Sequence, residues 1–426
     1  MHKDGETATP PPARTEIRGP ARSTERALAP DLARGFMLLL IALANTVYYL
    51  WGAERSGGSV HPADGSVLDR IVQAVIIIAV DQRVYPMFAF LFGYGIVQLL
   101  NRQLASGAPE GAARALLRRR HLWMIAFGFA HAALLWMGDI IGAYGLVGLV
   151  LCWLFLRRAD RVLLTWAAVG VAVLTLATAA STVLAVAGGA GDAAEAEDVL
   201  TLLTGNISST DYLVTVPWRI GIWLVIMVTQ GFVLLAVPVA VLLAFWAARH
   251  RVLEEPGRHL PLLRAVAAGG ITLGWVSAVP HALDHVRVLE VSAGATEAFV
   301  TPLGLTGLLA GLGYVAAFAL VAHRIGSRGA HGRVVTALSA VGKRSMSAYL
   351  AQSVLCAPLL SAWGLGLGGS FGSWQMAAFA VGVWLVTVAG AYALERAGRR
   401  GPAETALRRL AYPRPAPRPD AAAERA

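Results

Sequence analysis

In the stretch RRRHLWMIAFGFAHAALLWMGDIIGAYG, residues 118–145, two residues have the types and spacing to do chemistry. His131 lies inside an otherwise apolar run, and Asp139 follows in the hinge MGDI, about two helical turns further on. A charged side chain at mid-bilayer is disfavoured by about 2.5–3.5 kcal/mol, so an ionisable group in an apolar segment is a functional candidate by default. A carboxylate beside an imidazole fixes its tautomer and leaves the other ring nitrogen to act as a base near neutral pH. With Tyr144, the pair would form a polar pocket facing the outer leaflet. The plainer alternative is a hydrogen bond that only pins the hairpin.

Other polar residues stand out for the same reason. Asn45 lies about two-thirds of the way through the first apolar run, where lipid offers an amide no partner. His61 follows in the loop GGSVHPADG, where simple solvation would explain it. Arg83, near Asp81, Tyr85 and Pro86 in DQRVYPMFAFLFGYG, suits an acidic partner or an anionic ligand, with snorkelling to the interface as the bland account. Arg118, Arg119, Arg120 and His121 precede the third run, and Arg157 and Arg158 follow the fourth. Such clusters hold phosphates or lipid headgroups, or merely fix topology. Asp31 and Arg34 open the first run, where Asp31 also suits a helix N-terminus. HALDH, with His281 and His285 at i,i+4, lacks a third metal ligand. GGSFG and GLGLGG lack the strand context that a nucleophile elbow or a dinucleotide loop requires.

The elements that must position these groups are transmembrane helices. The chain of 426 residues is 56% hydrophobic and 15% charged, a profile that a soluble domain of this length does not have. Apolar runs of about 17–25 residues match a hydrocarbon core of roughly 30 Å, whereas barrel strands would alternate over about 10 residues. The expectation is an all-α polytopic bundle of about ten spans, at 35–51, 83–101, 122–137, 139–156, 162–188, 217–247, 262–282, 302–322, 345–366 and 373–395. The run 67–80 is short and reads as interfacial or re-entrant, with an eleventh span as the alternative. The span 217–247 is long enough that it must tilt, break or overrun the bilayer. With both termini cytoplasmic, 31 of the 36 Lys and Arg fall on one side, leaving Arg55, Arg70, Arg83, Arg219 and Arg287 elsewhere. The net charge of +10 therefore reads as orientation, not nucleic-acid binding.

Residues 1–33 and 413–426 read as disordered tails, flanking an N-terminal transmembrane half (34–200) that carries the site and a C-terminal half (201–412). No cleavable signal is apparent, so the first run serves as an anchor. Cys152 and Cys356 both lie in apolar runs and suggest no disulfide framework. Gly307 and Gly311 suit close helix packing. Thirty-four Arg against two Lys, with abundant Ala and Gly, points to a GC-rich bacterial genome and hence the plasma membrane.

Five motifs in order, DLARG, YPMFAFLFGYG, the 118–145 stretch, GKRSMSAYLAQS (342–353) and GPAETALRRLAY (401–412), resemble the YeiB family of bacterial membrane proteins, whose C-terminal half is domain of unknown function 418. The family looks distantly similar to transmembrane acyltransferases, including heparan-alpha-glucosaminide N-acetyltransferase and the acyltransferase-3 enzymes, which carry acyl groups from cytoplasmic acyl-CoA to an acceptor on the far side. Asn45, eleven residues after the RG of the first span, matches their polar position there, and His61 is a looser match to the heparan enzyme's loop histidine. The resemblance marks Tyr349 and Gln352 as family-typical, while interhelical hydrogen bonding alone would also explain them. Glu404 and Arg408 read as an i,i+4 ion pair.

The expected function is acyl transfer. Arg34 and Arg118–Arg120 hold the phosphates of an acyl-CoA co-substrate, His61 or His131 is the base or transient acyl carrier, and Asp139 orients it. Asn45 meets the developing oxyanion, while Arg83, Tyr144, Tyr349 and Gln352 contact the substrate. These groups would meet in one cavity open to the exterior, with arginines at its opposite mouth. No bound cofactor or metal is expected. The partners would be the bilayer, the donor and a small-molecule or glycan acceptor, with homodimerisation open. A small-molecule transporter or exporter is the alternative reading, in which the same polar groups relay protons or bind cargo.

Overall fold

Residues 27–55, 59–188, 201, 203–327 and 332–412 are described by a computed structural model, and within them the chain is all-α. Helix α1 (Leu28–Thr46) carries Asp31 in its first turn, where a carboxylate complements the exposed N–H groups. It tightens into a 3-10 turn at Val47–Tyr49, and Arg55 closes that end by donating to the carbonyls of Val47, Tyr48 and Leu50. Helix α2 (Val67–Ala79) starts at a reciprocal Ser66/Asp69 cap. Its apolar face, with Val67, Ile71 and Val75, is exposed, while Asp69 and Gln73 are buried. Asp69 accepts from the Trp374 N–H and Gln73 donates to Ser373, which ties α2 to the start of the last long helix. The chain then turns at Gln82, whose φ is 63°, into α3 (Val84–Ala105).

Helices α4 (Glu110–Leu134), α5 (Ile140–Phe155) and α6 (Asp160–Val186) follow. The segment expected as one span at 217–247 is broken. Helix α7 (Tyr212–Val228) passes through a π turn at Thr229–Val233 and a left-handed Leu235 (φ 52°) before α8 (Ala236–Arg249). Tyr212 donates to the Leu134 carbonyl at one end, and Arg249 donates to the Leu156 carbonyl at the other, so α7 and α8 together make one traverse. Then come α9 (Leu260–His285), the short α10 (Ala293–Val300) and α11 (Leu303–Gly326). Helices α12 (Arg333–Lys343), α13 (Ser345–Leu360), α14 (Ser373–Arg396) and α15 (Pro402–Ala411) complete the bundle.

Seven helical runs among the described residues are long and apolar enough to cross a membrane: Leu28–Tyr49, Val67–Ala105, Asp160–Val186, Tyr212–Val233, Pro256–His285, Ala293–Gly326 and Ser373–Arg396. Helices α5, α8 and α13 are apolar but shorter. Helix α4 carries four arginines in its first half, which lowers its hydropathy although it runs the same distance. Helix α2, 13 residues long, is joined to α3 through the turn at Gln82, and the two together make the apolar stretch Val67–Ala105. The loops gather into two ends. At the basic end Glu110 pairs with Arg157, Arg249 with Asp160, and Glu404 of α15 accepts from the N–H groups of Met346 and Ser347. At the opposite end Ala362 donates to Ile207, Trp51 to Leu360 and Asn206 to the Met137 sulfur.

Backbones approach closely where glycine removes the side chain. Gly342 of α12 sits on the Asp31 backbone, and Gly270 and Gly274 of α9 sit on Leu309, Thr306 and Ala310 of α11. Gly307 and Gly311 lie against Gln82, Arg83 and Met87, so they seat α11 on the turn before α3.

Candidate active site

His131 occupies the last turn of α4, and Asp139 is the N-cap of α5, so a four-residue hinge brings them together. His131 Nδ1 lies 2.7 Å from Asp139 Oδ2, with 4% and 0% of the two residues exposed. The other carboxylate oxygen accepts from the Gly142 N–H at 2.8 Å. In this arrangement Nδ1–H donates to the carboxylate, and Nε2 is buried without a hydrogen-bond partner among the described residues. An oriented imidazole with a vacant second nitrogen is the geometry of a general base or an acyl-accepting nucleophile. Gly128 of α4 backs directly onto Gly142 and Asp139, which lets α4 and α5 approach closely enough for the pair. Arg219 of α7, 1% exposed, donates from Nε and Nη2 to the Ala133 carbonyl and holds the end of α4 two residues after His131.

Tyr349 of α13 packs edge-on against the His131 ring, with centroids 5.3 Å apart. Its hydroxyl reaches the Gly138 carbonyl at 3.5 Å and the Ile140 N–H at 3.4 Å. On one side Tyr349 lines a cavity of about 1140 Å³ that opens at the basic end. Phe88, Leu91, Phe92, Met37, Met124 and Ile141 form its apolar interior. Arg34, Arg102, Arg120, Arg249, Arg251, Lys343, Arg344, Arg399, Arg400 and Arg408 line it, ten cations against the four carboxylates Asp31, Glu254, Glu395 and Glu404. Glu254 is held by Tyr94 and Gln98, and Glu395 bridges Lys343 at 2.8 Å and Arg344 at 2.7 Å. At the mouth, burial raises the Tyr412 hydroxyl above the ordinary phenol value, against the pull of Arg102, Arg120, Arg408 and Arg400. On its other side Tyr349 lines a second cavity of about 20 Å³, with Asn45, Thr46, Tyr49, Trp136, Gln352, Ser353 and Cys356.

The structure therefore distributes the sequence-derived residues in a way that differs from one exterior-facing pocket. His131, Asp139 and Tyr349 are in contact, and Asn45 and Gln352 join them through the small chamber, where Gln352 donates to the Leu38 carbonyl at 3.0 Å. The large cavity opens where the arginines are, lined by residues from the basic ends of α1, α3, α4, α8 and α12–α15. Arg34, which donates to Leu91 at 2.7 Å, and Arg120 line it. Arg118 is exposed, and Arg119 is not among the lining residues, since successive helical positions point about 100° apart. Tyr144 donates to the Tyr85 carbonyl at 2.8 Å and packs on Phe88 and Phe92, behind the cavity wall.

His61 belongs to a second cluster at the opposite end. Its Nε2 lies 2.7 Å from Asp81 Oδ2, and its ring is 5.7 Å from that of His285. Arg83, fully buried, donates to the Asp81 and Gly274 carbonyls. His281 and His285 complete no group of three metal-ligating residues among the described residues. Glu404 caps α13 rather than pairing with Arg408, which lies over the Tyr412 ring. Sequence reasoning treated Arg102, Arg249, Arg344, Arg399 and Arg400 as topology signals. Only their convergence in three dimensions identifies them as cavity residues.

A helical bundle with several membrane-length apolar runs, a cation-lined cavity and a buried His–Asp pair defines a polytopic membrane protein. Residues 247–414 match the family described as Protein of unknown function (DUF418). The chain is 25% identical over 414 residues to the uncharacterized protein YxaH of Bacillus subtilis strain 168, covering 92% of this chain and 96% of that one. Over 148 residues it is 33% identical to the uncharacterized protein YeiB of Escherichia coli strain K12, 32% of this chain and 33% of that one. No solved structure matches. The C-terminal region thus carries the DUF418 match, and the chain is similar to the uncharacterized proteins YxaH over nearly its whole length and YeiB over about a third of it.

Proposed function

We propose that the protein is a multi-pass acyltransferase of the bacterial plasma membrane, taking an acyl group from a cytoplasmic acyl-CoA-type donor and delivering it to a hydroxyl or amine acceptor from the outer face. The observation that carries this reading is the oriented His131–Asp139 pair, with Nε2 unpartnered, behind the inner wall of a cation-rich cavity. Ten cations against four carboxylates suit a donor with several phosphates, and the apolar interior suits the arm that bears the thioester. The positive-inside bias of the sequence supports a cytoplasmic basic end.

In this mechanism Arg34, Arg120 and the other lining arginines hold the phosphates, and the thioester points toward Tyr349. The acceptor oxygen or nitrogen attacks the thioester carbonyl while His131 Nε2 takes its proton. Asp139 stabilises the resulting imidazolium, the Asn45 amide donates to the tetrahedral oxyanion, and the thiolate leaves with the proton returned by His131. A single small-molecule path is the competing use of the same cavity, and the α7–α8 break is the kind of feature transporters place at a binding site. Calorimetry with acyl-CoA on wild type and His131→Ala, followed by assay of thioester cleavage, decides between them. Acyl transfer requires that both proteins bind the donor and only wild type cleaves it. An exporter leaves the thioester intact in both, and absence of donor binding to wild type rejects the reading.

A further inference from the structure

Among the described residues, Tyr349 is the one side chain lining both cavities. The chamber beyond it has about 20 Å³, room for about one water or one hydroxyl or amine group. Its lining is mixed, with apolar walls from Ala42, Tyr49, Trp136 and Cys356. Asn45, Gln352, Thr46 and Ser353 offer amides and hydroxyls, enough partners to hold a single small polar group. Trp136 closes it toward the opposite end, stacked on Tyr49 with centroids 5.0 Å apart and edge-on to Tyr48 at 5.9 Å. The ring of Tyr349 is buried against His131, but its hydroxyl is tied more weakly than the Gln352 amide. Its hydroxyl contacts are at 3.4 and 3.5 Å, near the limit of a hydrogen bond, whereas Gln352 on the same helix is held at 3.0 Å.

We propose that Tyr349 is a gate: it separates the basic-end cavity from the Asn45 chamber, and the chamber is the subsite that receives the attacking hydroxyl or amine. The identity of that occupant rests on the acyl-transfer reading, but the gate does not. A side chain that swings away joins the chamber and the His131 ring to the large cavity, while in its present rotamer it keeps bulk water of the cavity away from both. A closed gate protects a bound thioester from hydrolysis until an acceptor occupies the chamber.

Cys356 lines the chamber and provides the reporter. With Cys152→Ala as the background, Cys356 is the remaining thiol of the chain. An anionic, membrane-impermeant methanethiosulfonate is applied to the basic face in sealed vesicles. The thiolate displaces methanesulfinate and forms a mixed disulfide, read by mass. Cys356 should stay unlabelled with Tyr349 or Tyr349→Phe, and label faster by roughly tenfold or more in Tyr349→Ala, as removal of an access barrier requires. Ile141→Cys, in the ceiling of the large cavity, should label in every background. The gate is overturned if Cys356 labels with Tyr349 in place as fast as Ile141→Cys. It is also overturned if Tyr349→Ala, shown folded by its melting temperature, leaves Cys356 unlabelled. Should Tyr349→Ala not fold, Ala42→Cys in the Tyr349, Cys152→Ala, Cys356→Ala background decides: no labelling supports the gate, and labelling overturns it. No thioester enters this experiment, so its failure is distinct from failure of the acyl-transfer reading.

Discussion

Asp139 serves two partners at once, and this lets its roles be separated. One oxygen orients His131 and the other caps α5. Asp139→Asn keeps an acceptor for the Gly142 N–H but removes the negative charge that steadies an imidazolium. Transfer should fall by about 10²–10⁴, with donor affinity unchanged, as removal of general-base assistance predicts. Asp139→Ala loses the cap as well, so its unfolding free energy should drop by a further ~0.5–2 kcal/mol, measurable by thermal or denaturant unfolding. The pair was legible in the sequence because a histidine and an aspartate contrast with the apolar residues around them, and a short hinge leaves them few places to go. Tyr349 was legible only as a family-typical residue. Nothing in AYLAQS says that its ring meets α4, because that contact joins positions more than 200 residues apart. His61 is a different case: it meets Asp81, twenty residues on and away from His131, and a loop histidine carries no depth signal that would place it.

At the scale of elements, hydropathy places helices well and breaks poorly. The traverse from α7 to α8 reads as one long span by hydropathy alone, but Pro238 cannot donate an N–H and its ring clashes with the carbonyl four residues back, so the π turn and the left-handed Leu235 fall just ahead of it, with Pro238 in the first turn of α8. The short amphipathic α2, by contrast, shows its alternation of exposed and buried positions in VLDRIVQAVIIIA. Helix α15 forms part of the cavity mouth through a latch that spacing alone assigned to Arg408. Glu404 accepts from two α13 backbone N–H groups and from the Ser347 hydroxyl. Glu404→Ala leaves those donors unpaired, worth about 1–3 kcal/mol. Hydrogen exchange of amides 402–411 should accelerate while the core of α4 stays protected. Closer to the core, Gly270→Val places a branched side chain against the Leu309 carbonyl across the α9–α11 contact. Overpacking of this kind should lower stability by about 1–3 kcal/mol without altering donor affinity, which a melting curve and calorimetry check together.

Among the described residues, basic side chains gather at one end of the bundle, and the same gathering would serve orientation and recognition. Sequence alone assigns 31 Lys and Arg to one side, nine of them outside the described residues, but a count cannot say which of the rest converge. Convergence depends on helix rotation, and adjacent arginines on α4 illustrate it. Arg120 lines the cavity and lies over Phe92 at 5.9 Å, whereas Arg118 two residues earlier is exposed. An orientation signal would treat the two alike. A phosphate-binding cavity would not. Charge-assisted hydrogen bonds contribute about 1.5–3 kcal/mol each when a buried partner is lost. Arg120→Gln should therefore raise the dissociation constant for acyl-CoA by roughly tenfold to a hundredfold, while Arg118→Gln leaves it within about twofold. Raising ionic strength should weaken wild-type binding, and Arg120→Gln should show a shallower salt dependence because one screened contact is already gone. Calorimetry of the three proteins at two salt concentrations measures both effects. Equal behaviour of the two variants would return the α4 arginines to a purely topological role and leave the cavity without its proposed ligand.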